Sequence, residues 1–97
     1  MARYVILLNW TEQGIKNVKD TVKRAAAAKT VFEKAGARMS DCVWTLGAYD
    51  LVLSAEAPDD ETITAICISL AKLGNVKTTT LRAFNEGEMQ KILQKVS

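Results

Sequence analysis

The residues best suited to chemistry follow a short turn in the middle of the chain. Gly47-Ala48 separates two apolar segments, and Tyr49 and Asp50 come directly after it. A Gly-containing turn between such segments predicts a β-hairpin, which puts Tyr49 and Asp50 at the start of a strand. Burial beside aromatic rings raises the pKa of a carboxyl group, which can then act as a general base or orient a substrate. Asp50 and Tyr49 are therefore candidate catalytic residues.

A structural role is the alternative for Asp50. At a hairpin its carboxylate can accept backbone N–H bonds, or it can pair with Arg38 or Arg82. An unpaired buried charge is strongly unfavourable, so a buried Asp50 needs a partner or a proton. The sequence leaves the catalytic and the structural roles open.

Four further residues are candidates for ligand binding. Asn9, Trp10 and Trp44 lie near predicted strand ends, where aromatic walls with a few polar groups suit a small planar ligand. Arg82, on the last predicted strand, can hold an anionic group with its fork of donors. Each has a structural alternative: the tryptophans as core residues, and Arg82 as an exposed charge on an edge strand.

Metal and cofactor chemistry find little support in the composition. The chain has no histidine, which removes the commonest general base and metal ligand. Cys42 and Cys67 lie within apolar segments, a placement that favours buried thiols over a disulfide framework or a metal site. Thiolate catalysis is disfavoured because no histidine can activate either thiol. We expect no metal site and no cofactor.

The composition is that of one globular domain spanning residues 1–97. Hydrophobic residues make up 48% of the chain and charged residues 25%. The longest uncharged apolar run, Tyr4 to Leu8, is too short to cross a bilayer, and no secretory leader precedes it. We therefore expect a soluble cytoplasmic protein.

The basic residues are concentrated in the first part of the chain. Residues 1–38 hold eight Lys/Arg against three Asp/Glu, a balance of +5, and most of this excess lies on one predicted helix. Phe32 is the only aromatic residue among these lysines, so a solvated helix face is favoured over a nucleic-acid interface.

Strands and helices that must position the candidate residues alternate along the chain. The pattern predicts strands over 2–9, 38–46, 49–56 and 76–84. Helices are predicted from about Ile15 or Asp20 to Gly36, from a start within Ala57–Glu61 to Gly74, and from Asn85 onwards. Asp59 is the predicted cap of the second helix, and Asn85 with Glu88 resembles a capping box at the start of the third. Within the first helix, the run Ala25–Ala28 favours close approach to the sheet. In the second strand, alternation puts Met39 and Val43 on one face and Cys42 and Trp44 on the other.

This β-α-β-β-α-β-α order is typical of an α+β, ferredoxin-like βαββαβ fold with an added C-terminal helix. The first strand is apolar on both faces, which predicts a central position in the sheet. Two helices cover only one face of such a sheet. A second copy of the chain can cover the other face and remove about 800 Å² per partner, as in a stable interface. The sequence therefore predicts a homodimer, or a multiple of dimers.

Four ordered blocks resemble the GYD domain family, a group of small bacterial proteins. They are Leu8–Lys16 with Lys19-Asp20, Gly47–Asp50, Glu56–Asp60 and Leu73–Phe84. The resemblance covers nearly the whole chain, although Ala48 stands where Gln is more usual. It implies a dimeric α/β barrel, in which ferredoxin-like units pair through their sheets.

The resemblance does not choose one function class. Proteins with this fold include small monooxygenases, isomerases, haem-handling enzymes and ligand-sensing modules of transcription regulators. The first hypothesis is a small-molecule-binding dimeric α/β-barrel protein, such as a cofactor-independent enzyme, monooxygenase- or isomerase-like, that acts on a small organic substrate. The alternative is a non-enzymatic assembly or ligand-sensing regulatory module.

Overall fold

The computed structural model describes all 97 residues. It contains four strands: β1 (Ala2–Trp10), β2 (Arg38–Trp44), β3 (Leu51–Ala57) and β4 (Val76–Ala83). It contains four α-helices: α1 (Glu12–Lys16), α2 (Thr21–Lys34), α3 (Asp60–Ala71) and α4 (Glu86–Leu93), with a 3-10 turn (Val18–Asp20) before α2. This order confirms the ferredoxin-like α+β prediction with its added terminal helix.

The four strands form one antiparallel sheet in the order β2-β3-β1-β4. β1 is therefore a central strand, as its two apolar faces predict. Helices α2 and α3 supply the buried residues that cover one face of the sheet, which we call the helix side. We call the opposite face the open side.

The core lies between the sheet and these two helices. On β1, the side chains of Tyr4, Ile6 and Leu8 point to the helix side and are at most 4% exposed. Phe32 of α2 and Ile66 of α3 are buried against them. Burial of this apolar surface is the main stabilisation available to so small a domain.

On the open side, apolar residues lie on neighbouring strands without cover from the chain itself. Val5 and Leu7 of β1 are half-buried, and Leu7 pairs with Val52 of β3. Val43 of β2 is 45% exposed and Leu81 of β4 is 46% exposed. The open side is therefore an apolar patch on an isolated chain.

A β-bulge in β2 corrects one prediction from the sequence. The register shifts between Met39 and Asp41, so one extra residue, Ser40, interrupts the alternation. Met39 pairs with Ala55 and Cys42 with Leu53, which puts both on the helix side. The prediction that Met39 and Val43 share a face was wrong because strict alternation takes no account of a bulge.

Local capping signals predicted most helix ends correctly. Asp59 caps α3, where its carboxylate accepts a hydrogen bond of 2.8 Å from Thr62 N. Asn85 and Glu88 form the predicted capping box of α4. The first helical region differs from the prediction: it is divided into α1, the 3-10 turn and α2, and Thr11 caps the short α1.

Gly14 lies inside α1 and permits close approach. A Cβ atom at Gly14 would lie 2.0 Å from the carbonyl oxygen of Asn75, nearer than any side chain allows. The glycine therefore lets α1 contact the start of β4.

Helix α4 differs from α2 and α3 because it contains no buried residue. Met89, Leu93 and Val96 are exposed near the end of the chain. None of the helices combines the length and apolar character needed to cross a membrane.

Candidate functional site

The Gly-Ala turn is part of a six-residue hairpin loop, residues 45–50, which connects β2 to β3. The sequence predicted a two-residue turn, but β2 ends at Trp44 and β3 begins at Leu51. Gly47 has a φ of +123°, a conformation that favours glycine. Thr45 closes the loop: its N–H donates to the Asp50 carbonyl over 2.9 Å, and its hydroxyl donates to the Tyr49 carbonyl over 2.6 Å.

Asp50 joins this loop to the end of β1. Its backbone N–H donates to the carbonyl of Leu8 over 2.9 Å, and its Oδ2 accepts a 2.9 Å hydrogen bond from the N–H of Trp10. The side chain of Asn9 donates to the carbonyl of Ala48 over 2.8 Å. The carboxylate therefore continues the strand pairing beyond the end of the β1–β3 ladder, which is one of the structural roles that the sequence left open.

Neither arginine proposed as a partner for Asp50 contacts it. Arg38 pairs with Glu56 over 3.0 Å, and Arg82 donates to the carbonyls of Arg3 and Ala83. The second carboxylate oxygen of Asp50 accepts no hydrogen bond from the chain. It is available to a ligand.

Tyr49 presents its side chain to solvent at the loop. The side chain is 37% exposed, and only the backbone carbonyl of this residue takes part in closing the loop. Its phenol and the second oxygen of Asp50 are therefore polar groups that the hairpin loop leaves free.

Both tryptophans belong to the helix side of the sheet. Trp44 donates from Nε1 to the hydroxyl of Thr21 over 3.0 Å, so it ties the end of β2 to the first residue of α2. Trp10 pairs across the strands with Val76. Its indole Nε1 is buried without a hydrogen-bond partner. Such a donor is uncommon in a folded protein.

Arg82 lies at the opposite end of the sheet from the hairpin loop. It pairs across the strands with Tyr4, whereas Trp10 is six positions further along β1, or about 20 Å. Its guanidinium lies over the rings of Tyr4 and Phe84, at 5.6 and 4.7 Å from their centroids. The two predicted site residues Arg82 and Asp50 therefore do not share one cleft within a single chain.

A cavity between the helix layer and the sheet is the feature that the sequence did not reveal. It has a volume of about 130 Å³, and twelve of its fifteen lining residues are apolar. The sheet contributes Leu8, Met39, Cys42, Leu51, Leu53 and Val76, and the helical layer contributes Ala25, Ala27, Ala28, Val31, Leu70 and Leu73. We call this space the interlayer cavity.

The alanine run of α2 explains why the cavity exists. Ala28 packs into the core, but Ala25 and Ala27 leave space where larger side chains would reach towards the sheet. The sequence suggested that the run Ala25–Ala28 brings the helix close to the sheet throughout. Close approach applies to Ala28, which is buried in the core, but all three alanines, Ala25, Ala27 and Ala28, form part of the cavity wall.

Three polar residues lie at the cavity rim: Thr21, Arg24 and Asn75. The Arg24 guanidinium donates to the carbonyls of Asn17 and Gly14, over 2.8 and 3.2 Å. These bonds hold the rim together and connect α2 to the end of α1.

The two cysteines are free thiols with different surroundings. Burial, with a further contribution from Asp41, raises the pKa of the Cys42 thiol in the cavity wall. Cys67 of α3 is buried, and its sulfur lies 3.3 Å from the Thr80 hydroxyl. No group of three or more cysteine or acidic side chains is arranged to hold a metal ion.

The fold defines the chain as a ferredoxin-like α+β protein, and its hairpin loop carries a Gly-x-Tyr-Asp segment. The sequence matches the GYD domain over residues 4–93, so the chain belongs to the GYD domain family. This confirms the resemblance carried by the four sequence blocks. No curated protein matches the chain.

Two solved structures have a similar fold. MtbAldR has a TM-score of 0.67 at 15% identity, with 88% of this chain and 54% of MtbAldR covered, so the chain spans about half the length of that protein. TTHA0845 from Thermus thermophilus has a TM-score of 0.57 at 21% identity, with 88% of this chain and 95% of TTHA0845 covered. At these identities the likeness establishes the fold alone.

Proposed function

We propose that this GYD-domain protein is a ligand-binding module that holds a small organic molecule and works as a homodimer. The interlayer cavity carries the proposal, since it is concave, mainly apolar and bordered by a few polar groups, as ligand sites commonly are. Its lining contains no carboxylate. Ligand binding is therefore favoured over acid–base chemistry inside the cavity.

The open side supports the dimer. Its apolar residues on four neighbouring strands have no cover from the chain itself, and two copies placed face to face would each supply the other's cover. Such an interface is isologous, because the same patch serves both subunits. The two free thiols agree with a reducing compartment, which supports a cytoplasmic location.

Native mass spectrometry of gently purified protein tests both parts of this function. We expect the mass of a dimer or its multiple, with a reproducible extra mass from the bound molecule. A bare monomer at micromolar concentration would overturn the dimer. A dimer that shows no extra mass and takes up no small molecule when a chemically diverse library is added would overturn the ligand-binding function.

A matched pair of variants locates the dimer interface. Leu7→Asp introduces a charge at the centre of the open side and should convert the dimer to monomer, measured by size-exclusion chromatography with light scattering. Ile68→Asp makes the same type of change on an exposed position of α3 and should leave the dimer intact. If Ile68→Asp dissociates the dimer and Leu7→Asp does not, the interface lies on the helices instead of the open side.

The second candidate function is a cofactor-independent enzyme with its site at the hairpin loop. Asp50 and Tyr49 would be its catalytic residues, and Asn9, Trp10 and Trp44 would border its ligand. The free oxygen of Asp50, the exposed Tyr49 phenol and the unpaired indole Nε1–H of Trp10 favour it. Arg82 could join this ligand site only from a second copy, because it lies at the other end of its own sheet.

The variant Asp50→Asn separates this enzyme from the module. An asparagine keeps an oxygen that can accept the Trp10 N–H but removes the charge. In the enzyme, activity towards a substrate found by screening should fall by at least about 100-fold with folding intact. An unchanged rate would exclude Asp50 as a catalytic residue.

A further inference from the structure

We propose that the interlayer cavity takes a neutral molecule of about one aromatic ring, in preference to a carboxylate, an amine or a phosphate. This inference rests on the proposed ligand-binding function and specifies the ligand class of that same site. Three features of the cavity carry it: its size, the state of its polar groups and its two sulfur-containing side chains.

The size of the cavity matches a single ring. Its volume is about 130 Å³. An apolar protein cavity of about 150 Å³ stays dry and binds benzene or xenon, so a space of this order accommodates a six-membered ring and little more. Molecules with two fused rings would require the helix layer to move.

The polar groups at the rim are already engaged within the chain. Thr21 accepts from Trp44, Arg24 donates to two backbone carbonyls, and the Asn75 side chain accepts from Gln13 over 2.9 Å. An ion that entered the apolar interior of the cavity would lose its hydration and find no charged side chain there. The rim disfavours a cation directly, because its one charged group is the Arg24 guanidinium, which no carboxylate pairs.

Sulfur favours an aromatic ligand over an aliphatic one. Met39 and Cys42 come from β2 to the same wall, because the bulge at Ser40 turns both towards the helix side. Methionine sulfur makes favourable contacts with ring edges, and a neutral thiol such as that of the half-buried Cys42 behaves as a small polarizable apolar group. The raised pKa of Cys42 keeps its thiol neutral at neutral pH.

The ligand has a route into the cavity. At the mouth, Leu73 follows α3 and is 62% exposed, and Ala27 lies exposed on α2. The cavity therefore reaches the surface between α2 and the end of α3. Entry does not require the domain to unfold.

The test compares small probes on the full chain. Benzene is the neutral aromatic probe, cyclohexane the aliphatic one, and benzoate and benzylamine the charged ones. We expect benzene at millimolar concentration to raise Tm by more than about 2 °C, cyclohexane to raise it less, and the charged probes to have no effect. Thermal unfolding is followed by calorimetry.

A matched pair of α2 variants assigns the effect to the cavity. Ala25→Leu fills the space and should abolish the benzene shift, whereas Ala26→Leu, on the exposed face of the same helix, should retain it. Protection of Cys42 from N-ethylmaleimide by benzene, read by mass spectrometry, gives a second measurement on the unsubstituted protein. The buried Cys67 should stay unmodified as long as the chain remains folded.

The outcomes separate the ligand class from the function. Binding of benzoate but not benzene, lost in Ala25→Leu, would overturn the neutral class and leave the ligand-binding function standing. An equal benzene shift in Ala25→Leu, or Cys42 modified at the same rate with and without benzene, would overturn the cavity as the site. Absence of any probe effect together with no retained mass in native spectra would overturn the ligand class and the function together.

Discussion

The two sides of the sheet carry apolar residues of similar type but differ in how far they bury them. On β1, Ile6 is 0% exposed beneath the helices, while Leu7, the next residue, is only half-buried on the open side. Both belong to the same central strand and make regular ladder pairs with β3. The helix side thus stabilises the single chain, and the open side provides surface for association.

The largest effect that tests this difference is removal of a core side chain. Ile6→Ala should lower the free energy of unfolding by about 3 kcal/mol or more, because it leaves a cavity in a closely packed layer. Leu7→Ala should lower the free energy of unfolding by less than half as much, at a concentration where the chain is monomeric. Urea unfolding measures both, and equal losses would contradict the contrast between the two sides.

Substitution of Tyr4 should lower stability by an intermediate amount, and the size of this loss should depend on pH. Its hydroxyl donates to Asp60 over 2.6 Å, and burial together with this bond raises its pKa to about 12. Tyr4→Phe removes the bond and should cost about 1–2 kcal/mol in urea unfolding. The matched control Tyr49→Phe, at an exposed phenol without a hydrogen bond, should change stability by less than about 0.5 kcal/mol.

The pH dependence has a definite sign. Folding favours the protonated form of Tyr4, so its contribution is fully present below the unfolded-state pKa of 10.0 and is lost as pH rises towards about 12. The stability difference between the original chain and Tyr4→Phe should therefore decline over this range. A difference that stays constant to pH 12 would argue against the Tyr4–Asp60 bond.

The smallest expected change in stability comes from removing the cap of α4, which does not pack on the sheet, and it is compared with removal of the cap of α3, which does. Asn85→Ala removes the cap of α4, which has no buried residue, and should change global stability by less than about 0.5 kcal/mol at monomeric concentration. Amide exchange within α4 should nevertheless become faster. Asp59→Ala removes the cap of α3, which packs on the sheet, and should measurably lower the unfolding midpoint.

Local signals in the sequence predicted most of the fold. The double apolar pattern of β1 indicated its central place, and capping residues such as Asp59 and Asn85 marked helix starts. Glycines with positive φ, Gly36 and Gly74, followed the helices as predicted. These features depend on a few neighbouring residues, so the sequence alone contains them.

Features that depend on distant contacts could not be predicted in the same way. The bulge at Ser40 moves the residues that follow it in β2 to the opposite face of the sheet, and no residue type at that position predicts a bulge. The interlayer cavity depends on the spacing between α2, α3 and the sheet, which a run of alanines permits but does not determine. Arg82 was grouped with the hairpin because a sequence pattern does not reveal which end of the sheet a residue occupies.

For the candidate site, the sequence identified the loop but not the contacts that define it. The hydrogen bond from Trp10 N–H to Asp50 joins residues 40 positions apart, and it requires the β1–β3 register. The roles of the six predicted site residues therefore stay predictions. The structure brings Asn9, Trp10 and Asp50 together at one end of the sheet, with Tyr49 beside them in the loop.

The bulge in β2 also bears on resistance to aggregation. An outer strand with a regular row of free backbone groups can template the addition of another strand. In β2 this row is interrupted at Ser40, and the Cys42 N–H is occupied by the Asp41 side chain over 3.1 Å. The chain can therefore keep one apolar face open for pairing without offering this edge to fibrillar growth.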